Sequence, residues 1–327
     1  MPGEVSEWLK ELAWKASGRA YTCLVGSNPT LSAVTDLEKA SEFMRAGARL
    51  LDRRRFELLF EDGSAEAVLA ALSAYRNPDG GFGYGLEPDL RSATSQPGGA
   101  LHAFETLADV GPETSGMAVR LCDWADSVSF EDGSLPFAFA MDDGAGSAPF
   151  WANADESEPS LWMTSAVCGP AHRVADHDPA VAGHPWLAKA TDYCLAQAAA
   201  LDEPPFAIAF MFILQFLDAS HDRNPKSAEE LARLGAMLPE SGTLPVPGGS
   251  EGEELSPLDL SPVADRPLRA LFSPEAIAAD LDRVENEQLQ DGGWEVDFAS
   301  YSPQAELQWR GYTTVWALSV LRGGGRL

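Results

Sequence analysis

Apolar residues recur at three- and four-residue spacing through most of this chain, the period that turns one face of an α-helix toward a core. The periodic segments lie near 5–16, 36–51, 64–75, 98–109, 113–127, 160–175, 184–200, 205–219, 226–237, 274–290 and 310–321. Alternation of period two, the mark of a half-buried strand, is almost absent, so the pattern predicts an all-α fold. Several starts carry their own signals. Ser64 precedes AEAVLAALSAY, Pro112 opens GPETSGMAV, and Ser273-Pro274-Glu275 joins a cap, a first-turn proline and an acid. The longest apolar stretch, FAIAFMFILQFL at 206–217, is about a dozen residues where a membrane span needs roughly 20. It reads as a buried helix.

The segments between these helices repeat. Glu131-Asp132-Gly133-Ser134-Leu135-Pro136 and Glu240-Ser241-Gly242-Thr243-Leu244-Pro245 share one pattern, and Asn77-Pro78-Asp79-Gly80-Gly81-Phe82-Gly83 and Gln290-Asp291-Gly292-Gly293-Trp294 are further copies. Each is a turn at D-G or its equivalent followed by an apolar plug. Such self-similarity marks a repeat architecture; the spacing from Asp79 to Asp132, and three times that to Asp291, predicts about six units of two helices each. Small-residue helices follow, at GGALHAFETL, AVCGPAHRV and VWALSVL. Longer loops interrupt the rhythm at 140–160 and 239–272, but the repeat phase survives them, so a single domain over 1–327 is expected.

Composition adds bounds. With 327 residues and 45% apolar content the chain can bury a large core. A formal net charge of −27 disfavours binding to nucleic acid or anionic membrane, since both rely on Lys and Arg. Cys23, Cys122, Cys168 and Cys194 form no C-x-x-C pair and are expected to be buried thiols. The first twenty residues lack an apolar stretch of the secretory kind, and a cytoplasmic protein is expected.

At the turns the chain resembles a known family. Gln288-Leu289-Gln290-Asp291-Gly292-Gly293-Trp294 is similar to the Q-x-x-x-G-x-W ending of the QW repeats in squalene and other terpenoid cyclases, and Asn77-Pro78-Asp79-Gly80-Gly81-Phe82-Gly83 to a turn of the protein prenyltransferase β subunits. The resemblance implies an α/α toroid of five or six helix pairs, with an active cavity at one end. The motif has a structural logic: Gly supplies positive φ, the ring fills the gap between helix pairs, and Gln can bond helix-terminal backbone groups. It specifies no chemistry.

The chemistry of these relatives transfers poorly. The D-x-D-D acid of type II cyclases has its nearest counterpart at Ala140-Met141-Asp142-Asp143, which lacks the first aspartate, so Asp142 is weighed as an acid against a solvated loop residue. The zinc set of the prenyltransferases would need Asp, Cys and His. Cys168 and His172 stand at i, i+4 with Asp176 and His177 beyond, but Gly169-Pro170 intervenes and packing is the simpler role. The Cys-His-Gly zinc signature of lanthipeptide cyclases is missing. No metal residue is assigned, and neither Mg2+ nor Zn2+ has a supporting motif.

Two charged approaches remain. Glu87, Asp89 and Arg91 precede the helix near Pro97, and Glu306, Trp309 and Arg310 precede Tyr312. In a toroid both would face one end. Glu87, Asp89, Asp142 and Glu306 are the candidate acids, because a carboxyl desolvated among aromatic rings keeps its proton. Arg91 and Arg310 are candidate anion clamps, and Phe82, Tyr84, Trp162, Trp294, Trp309 and Tyr312 candidate apolar walls that could stabilise a cation. The competing reading makes these charges loop-to-loop bridges that close the ring. His102 is weighed as a core residue, and His184-Pro185-Trp186 as cap and anchor. A terpenoid-cyclase-like or prenyltransferase-like enzyme acting on an isoprenoid or other elongated apolar substrate, by acid-initiated or diphosphate chemistry, leads. A carbohydrate-active toroid and a non-catalytic binding ring stand beside it. Oligomeric state is left open.

Overall fold

A computed structural model of the protein describes residues 35–112, 114–142 and 144–327. The segment expected to be helical at 5–16, Cys23 and Asp143 lie outside the described residues. The ring helices, numbered in chain order, are α1 (Leu37–Gly47), α2 (Leu50–Phe60), α3 (Ala65–Leu72), α4 (Pro97–Val110), α5 (Met117–Val128), α6 (Leu161–Ala175), α7 (Pro185–Ala199), α8 (Ala207–Ser220), α9 (Pro225–Gly235), the single turn α10 (Pro257–Leu260), α11 (Pro274–Asn286) and α12 (Pro303–Gly323). Strand structure among the described residues is a two-residue ladder, Leu244–Pro245 against Glu254–Leu255. No helix among them is long and apolar enough to cross a membrane.

Capping follows the sequence closely. Ser64, Ser160 and Ser273 each accept a backbone N–H in the first turn of the following helix, and His184 caps α7 through its ring. Several boundaries differ from expectation: α5 begins at Met117, capped at Gly116, and not at Pro112, and α11 ends at Asn286 and not at 290. The segment 36–51 is not one helix: it breaks at Ala48-Arg49, and a second helix runs to Phe60. The run Asp52-Arg53-Arg54-Arg55 hides that helix from a periodicity reading, yet Leu51 and Phe56 are fully buried and Arg49 and Asp52 pair inside. The last helix begins at Pro303, not 310, because Ser302 caps it and accepts from the Ala305 amide.

Packing arranges these helices in two concentric rings. In the inner ring α2 packs on α4, α4 on α6, α6 on α8 and α8 on α10, while α12 returns to α2; α11 spans from α10 to α12. The outer helices α3, α5, α7, α9 and α11 each pack on the inner helix before them, and α1 packs on α12, so the series closes on itself. This is an α/α toroid. Among the described residues six pairs begin, at residues 37, 65, 117, 185, 225 and 274, and unequal loops blur the spacing.

The repeated turns all lie where an outer helix hands over to its inner partner, hence at one end of the ring, called here the turn end. In three of them the positive-φ glycine lies against the next outer helix, whereas Gly242 lies against Pro257 and Phe272. A Cβ on Gly80 would lie 2.8 Å from the Arg120 carbonyl oxygen of α5, one on Gly133 2.6 Å from Lys189 of α7, and one on Gly292 2.2 Å from the Lys39 carbonyl oxygen of α1. Gln288 completes the last contact: its side chain accepts from Asp36 N at 2.8 Å and donates to Asp36 O at 2.9 Å and Gly292 O at 3.0 Å. The first and last pairs are thereby joined. Phe82 and Trp294 plug their gaps, at 0% and 2% exposure.

Candidate active site

The inner ring encloses a cavity of about 1210 Å³, above the usual range of about 300–1,000 Å³ for ligand sites. It runs from the turn end, at the N-termini of the inner helices, toward their C-termini. Its walls are mostly aromatic and aliphatic near the turn end. Phe137 stacks on Trp151 at 4.6 Å between ring centres and meets Trp162 at 4.9 Å. Trp162 in turn meets Phe206 at 5.5 Å, and Trp309 meets Phe298 at 5.3 Å.

Two carboxyls enter this apolar wall from the loop between Phe82 and Gln96. The loop folds as successive turns, Leu86 N to Gly83 O and Leu90 N to Glu87 O. Leu86 and Leu90 are buried as anchors, which leaves Glu87 and Asp89 between them on the cavity side. The loop is tied outside as well: Ala148 N donates to Asp89 O, Arg91 N donates to Ser147 Oγ, and buried Gln96 bonds both backbone groups of Phe139. A Cβ on Gly98 would lie 3.2 Å from the Trp151 ring and 3.5 Å from Glu87 Cγ. The first turn of α4 is thus kept bare beside the acid.

Glu87 Oε2 is buried with no hydrogen-bond partner in the protein. Burial pushes its pKa well above the usual carboxylate value, the Asp89 charge adds to the rise, and the Asp89 and Leu90 amides and Arg49 only partly offset it. Burial therefore favours the neutral, protonated form of Glu87. Asp89 differs. Burial raises its pKa too, but Oδ2 accepts from the Trp309 indole at 2.8 Å and Oδ1 from Tyr301 N at 2.8 Å, and these bonds and Arg91 pull back toward the charged form. With both oxygens accepting, Asp89 has the bonding pattern of a carboxylate.

Deeper in the cavity lies a polar network that periodicity did not reveal. Glu105 bonds His102 Nδ1 at 2.8 Å and the Tyr312 hydroxyl at 3.1 and 3.2 Å. Burial would raise the Glu105 pKa, but His102, Arg55 and Arg173 outweigh it and hold it below the usual value. Arg55 pairs with Asp109 at 2.7 Å, and its guanidinium carbon lies 5.6 Å from the Tyr312 ring centre. Burial and then Glu105 push the Tyr312 phenol well up, so it remains a donor.

Of the candidate site residues, Glu87, Asp89, Trp162, Trp294, Trp309 and Tyr312 line this one cavity, as do His102, Asp176 and His177, which were weighed for other roles. The remaining candidates do not. Phe82 is core, and Tyr84 is 54% exposed at φ 54°. Asp142 and Glu306 are exposed on the surface. Arg91 donates to Gln308 at 2.8 Å. Arg310 donates to both Asp291 oxygens at 2.9 Å and to Trp294 O, and lies over the Phe43 ring at 4.6 Å, so it braces the last turn rather than clamping a ligand. Glu306, Trp309 and Arg310 belong to α12, not to a loop approaching it. The two charged segments do meet across the ring, but through Asp89 with Trp309 and Arg91 with Gln308 rather than through ion pairs. Cys168 is buried, and His172 bonds Thr191 at 2.8 Å with its pKa lowered to about 4 by burial, so both are packed between α6 and α7. Phe137, Trp151, Arg55, Glu105 and Arg173 also line the cavity.

No protein-family model matches the chain, and no curated protein matches it. Among solved structures, two complexes of variants of the type II terpene cyclase MstE from Scytonema with geranylgeranyl dihydroxybenzoate are similar. One is 14% identical, covering 98% of each chain at a TM-score of 0.48. The other is 13% identical, covering 98% of this chain and 97% of that one at 0.44.

Proposed function

We propose that this protein is a terpenoid-cyclase-like enzyme in which Glu87 protonates an elongated isoprenoid held in the ring cavity. The observation that carries this reading is a buried carboxyl with one unpartnered oxygen beside a second carboxyl whose two oxygens both accept hydrogen bonds, the pair set on an aromatic wall. A proton donor must be neutral before it reacts, and burial favours that here. Transfer of the Glu87 proton to an alkene carbon leaves a carboxylate on Glu87 and a cation on the substrate. The cation then lies among the faces of Trp151, Trp162 and Trp309, where π density stabilises positive charge without offering a nucleophile. Asp89, oriented by the Trp309 indole and the Tyr301 amide, adds negative charge beside it. Water is displaced by the apolar walls, which protects the cation from capture.

Sugar cleavage fits less well. Glycoside hydrolysis places its two carboxyls on opposite sides of the scissile bond, about 5–10 Å apart, whereas Glu87 and Asp89 stand two residues apart on one loop. A purely binding ring does not account for a carboxyl kept neutral against an open cavity. The test is incubation with C10 to C30 isoprenoid alcohols, acids and diphosphates and with geranylgeranyl dihydroxybenzoate, followed by mass spectrometry for cyclised isomers. Glu87→Gln is expected to lower turnover by about 10²- to 10⁴-fold, the usual worth of a general acid. Neither turnover nor thermal shift across that panel would overturn the enzyme reading, and unchanged turnover in Glu87→Gln would overturn the acid assignment.

A further inference from the structure

The far end of the cavity is polar, and some of its buried polar atoms find no partner within the protein. Four acids line it, and each is already bonded. Glu105 is held by His102 and Tyr312, Asp109 by Arg55, Asp176 by Arg223 at 2.8 Å, and Asp218 by Arg266 and the Leu268 amide. Arg173 lines the same region and its charge is felt by Glu105, Asp218 and Tyr312. Yet its guanidinium makes no hydrogen bond or ion pair, and its Nε is buried without a partner. His177, one helical turn on, has both ring nitrogens buried and unpartnered while lining the same cavity. A guanidinium whose buried Nε has no acceptor and an imidazole with both buried nitrogens unused are each costly in a folded protein. Two such groups, four residues apart and lining one ligand-sized cavity, mark a place built for something that accepts hydrogen bonds.

We infer that Arg173 and His177 form a head-group subsite for a carboxylate or phosphate anion at one end of an elongated apolar substrate. The inference deepens the isoprenoid reading above and rests on it. Geometry supports the division of labour: Arg173 lies three turns along α6 from Trp162, about 16 Å at helical rise, so head and acid are separated by the length of the cavity. The anchored head leaves the apolar tail to reach the Glu87 end, where the first double bond is protonated. A helix C-terminus repels an anion weakly, and a guanidinium in direct contact outweighs it.

Equilibrium binding to the Glu87→Gln protein, which holds substrate without consuming it, separates the possibilities. Three probes share one C20 chain: geranylgeranyl diphosphate, the matching prenyl carboxylic acid, and the uncharged geranylgeraniol. At least one anion is expected to bind about tenfold or more tightly than the alcohol, the scale of a charge-assisted contact. Adding Arg173→Ala is expected to erase that preference while leaving the alcohol's Kd within about twofold, and Arg173→Lys to keep part of it. Which anion gains more identifies a phosphate or a carboxylate head. Because the Arg173 charge also favours the ionised Glu105 and Asp218, Arg173→Ala is expected to lower Tm somewhat, and the loss of the anion preference with the alcohol's Kd kept is the readout that a purely structural arginine would not give. Equal binding of all three probes, or equal weakening of all three by Arg173→Ala, would overturn the subsite and leave the acid reading standing. Binding of none of them would overturn the isoprenoid reading and the subsite together.

Discussion

Replacing Glu87 by Gln tests the proposed chemistry through stability alone, with no substrate needed. Glutamine keeps the shape and the acceptor oxygen but cannot ionise. In the folded protein burial and Asp89 raise the Glu87 pKa well above 4.5, the value of a free glutamate. The folded state therefore keeps the proton to higher pH than the unfolded chain does. Below the unfolded pKa both states are protonated and the carboxyl adds no pH dependence. Above it the unfolded state gains stability by ionising while the folded state does not, so wild-type stability falls relative to Glu87→Gln as pH rises toward the folded pKa. The slope of that difference approaches one proton, about 1.4 kcal/mol per pH unit. With a urea m-value of about 3 kcal/mol/M, the midpoints of the two proteins should diverge by roughly 0.5 M per pH unit. Urea unfolding at pH 5, 5.5 and 6 measures this directly. Asp89 titrates in both proteins, so subtracting the curves removes most of its contribution. A difference that stays flat across that range would mean that Glu87 is ionised in the fold, and with it the argument for a proton donor at this position would fail.

Three further outcomes follow from the same geometry. Trp309→Phe keeps the ring but removes the indole N–H from Asp89; a hydrogen bond to a charged group is worth about 1.5–3 kcal/mol, so turnover should fall by at least about tenfold and the pH optimum shift upward as Asp89 holds its proton longer, and an unchanged pH profile would contradict that role. Gln288→Ala leaves the Asp36 amide and carbonyl without their partner at the ring closure, and should cost about 1–3 kcal/mol in urea unfolding, with hydrogen exchange accelerated first in α1. Arg310→Ala should leave kcat and KM on any accepted isoprenoid within about twofold while lowering stability by about 1 kcal/mol, through lost contact with Trp294 O and the Phe43 ring; a selective loss of activity would return Arg310 to the site.

The proposed acid was legible because its loop departs from the repeat. Residues 77–83 match the other D-G turns, and Glu87 and Asp89 follow where the pattern stops, so their chemistry stood out against a structural background. Glu306 and Arg310 misled for the opposite reason. They flank Trp309, but once Ser302 caps a helix the inward stripe runs Ala305, Trp309, Tyr312, and Glu306 and Arg310 lie one residue, about 100°, round from it. Tyr84 and Asp142 had the right residue types for a site and ended on the surface; Tyr84 does so in a left-handed turn, φ 54°, between buried Phe82 and Leu86.

By itself the sequence determined the helical period, most of the caps, the D-G turns and the number of helix pairs, because these are local: each is written in a few consecutive residues whose backbone preferences do not depend on what lies across the molecule. It also marked Glu87 and Asp89. Only the tertiary structure decided what Arg55, Glu105, Arg173 and His177 do. Charges inside a helix read as a solvated face, and nothing nearby in sequence says otherwise. Closing the ring through Gln288 and the Gly292 turn, some 250 residues from the first helix, turns those faces inward, and a face that water would have covered becomes the polar end of a cavity.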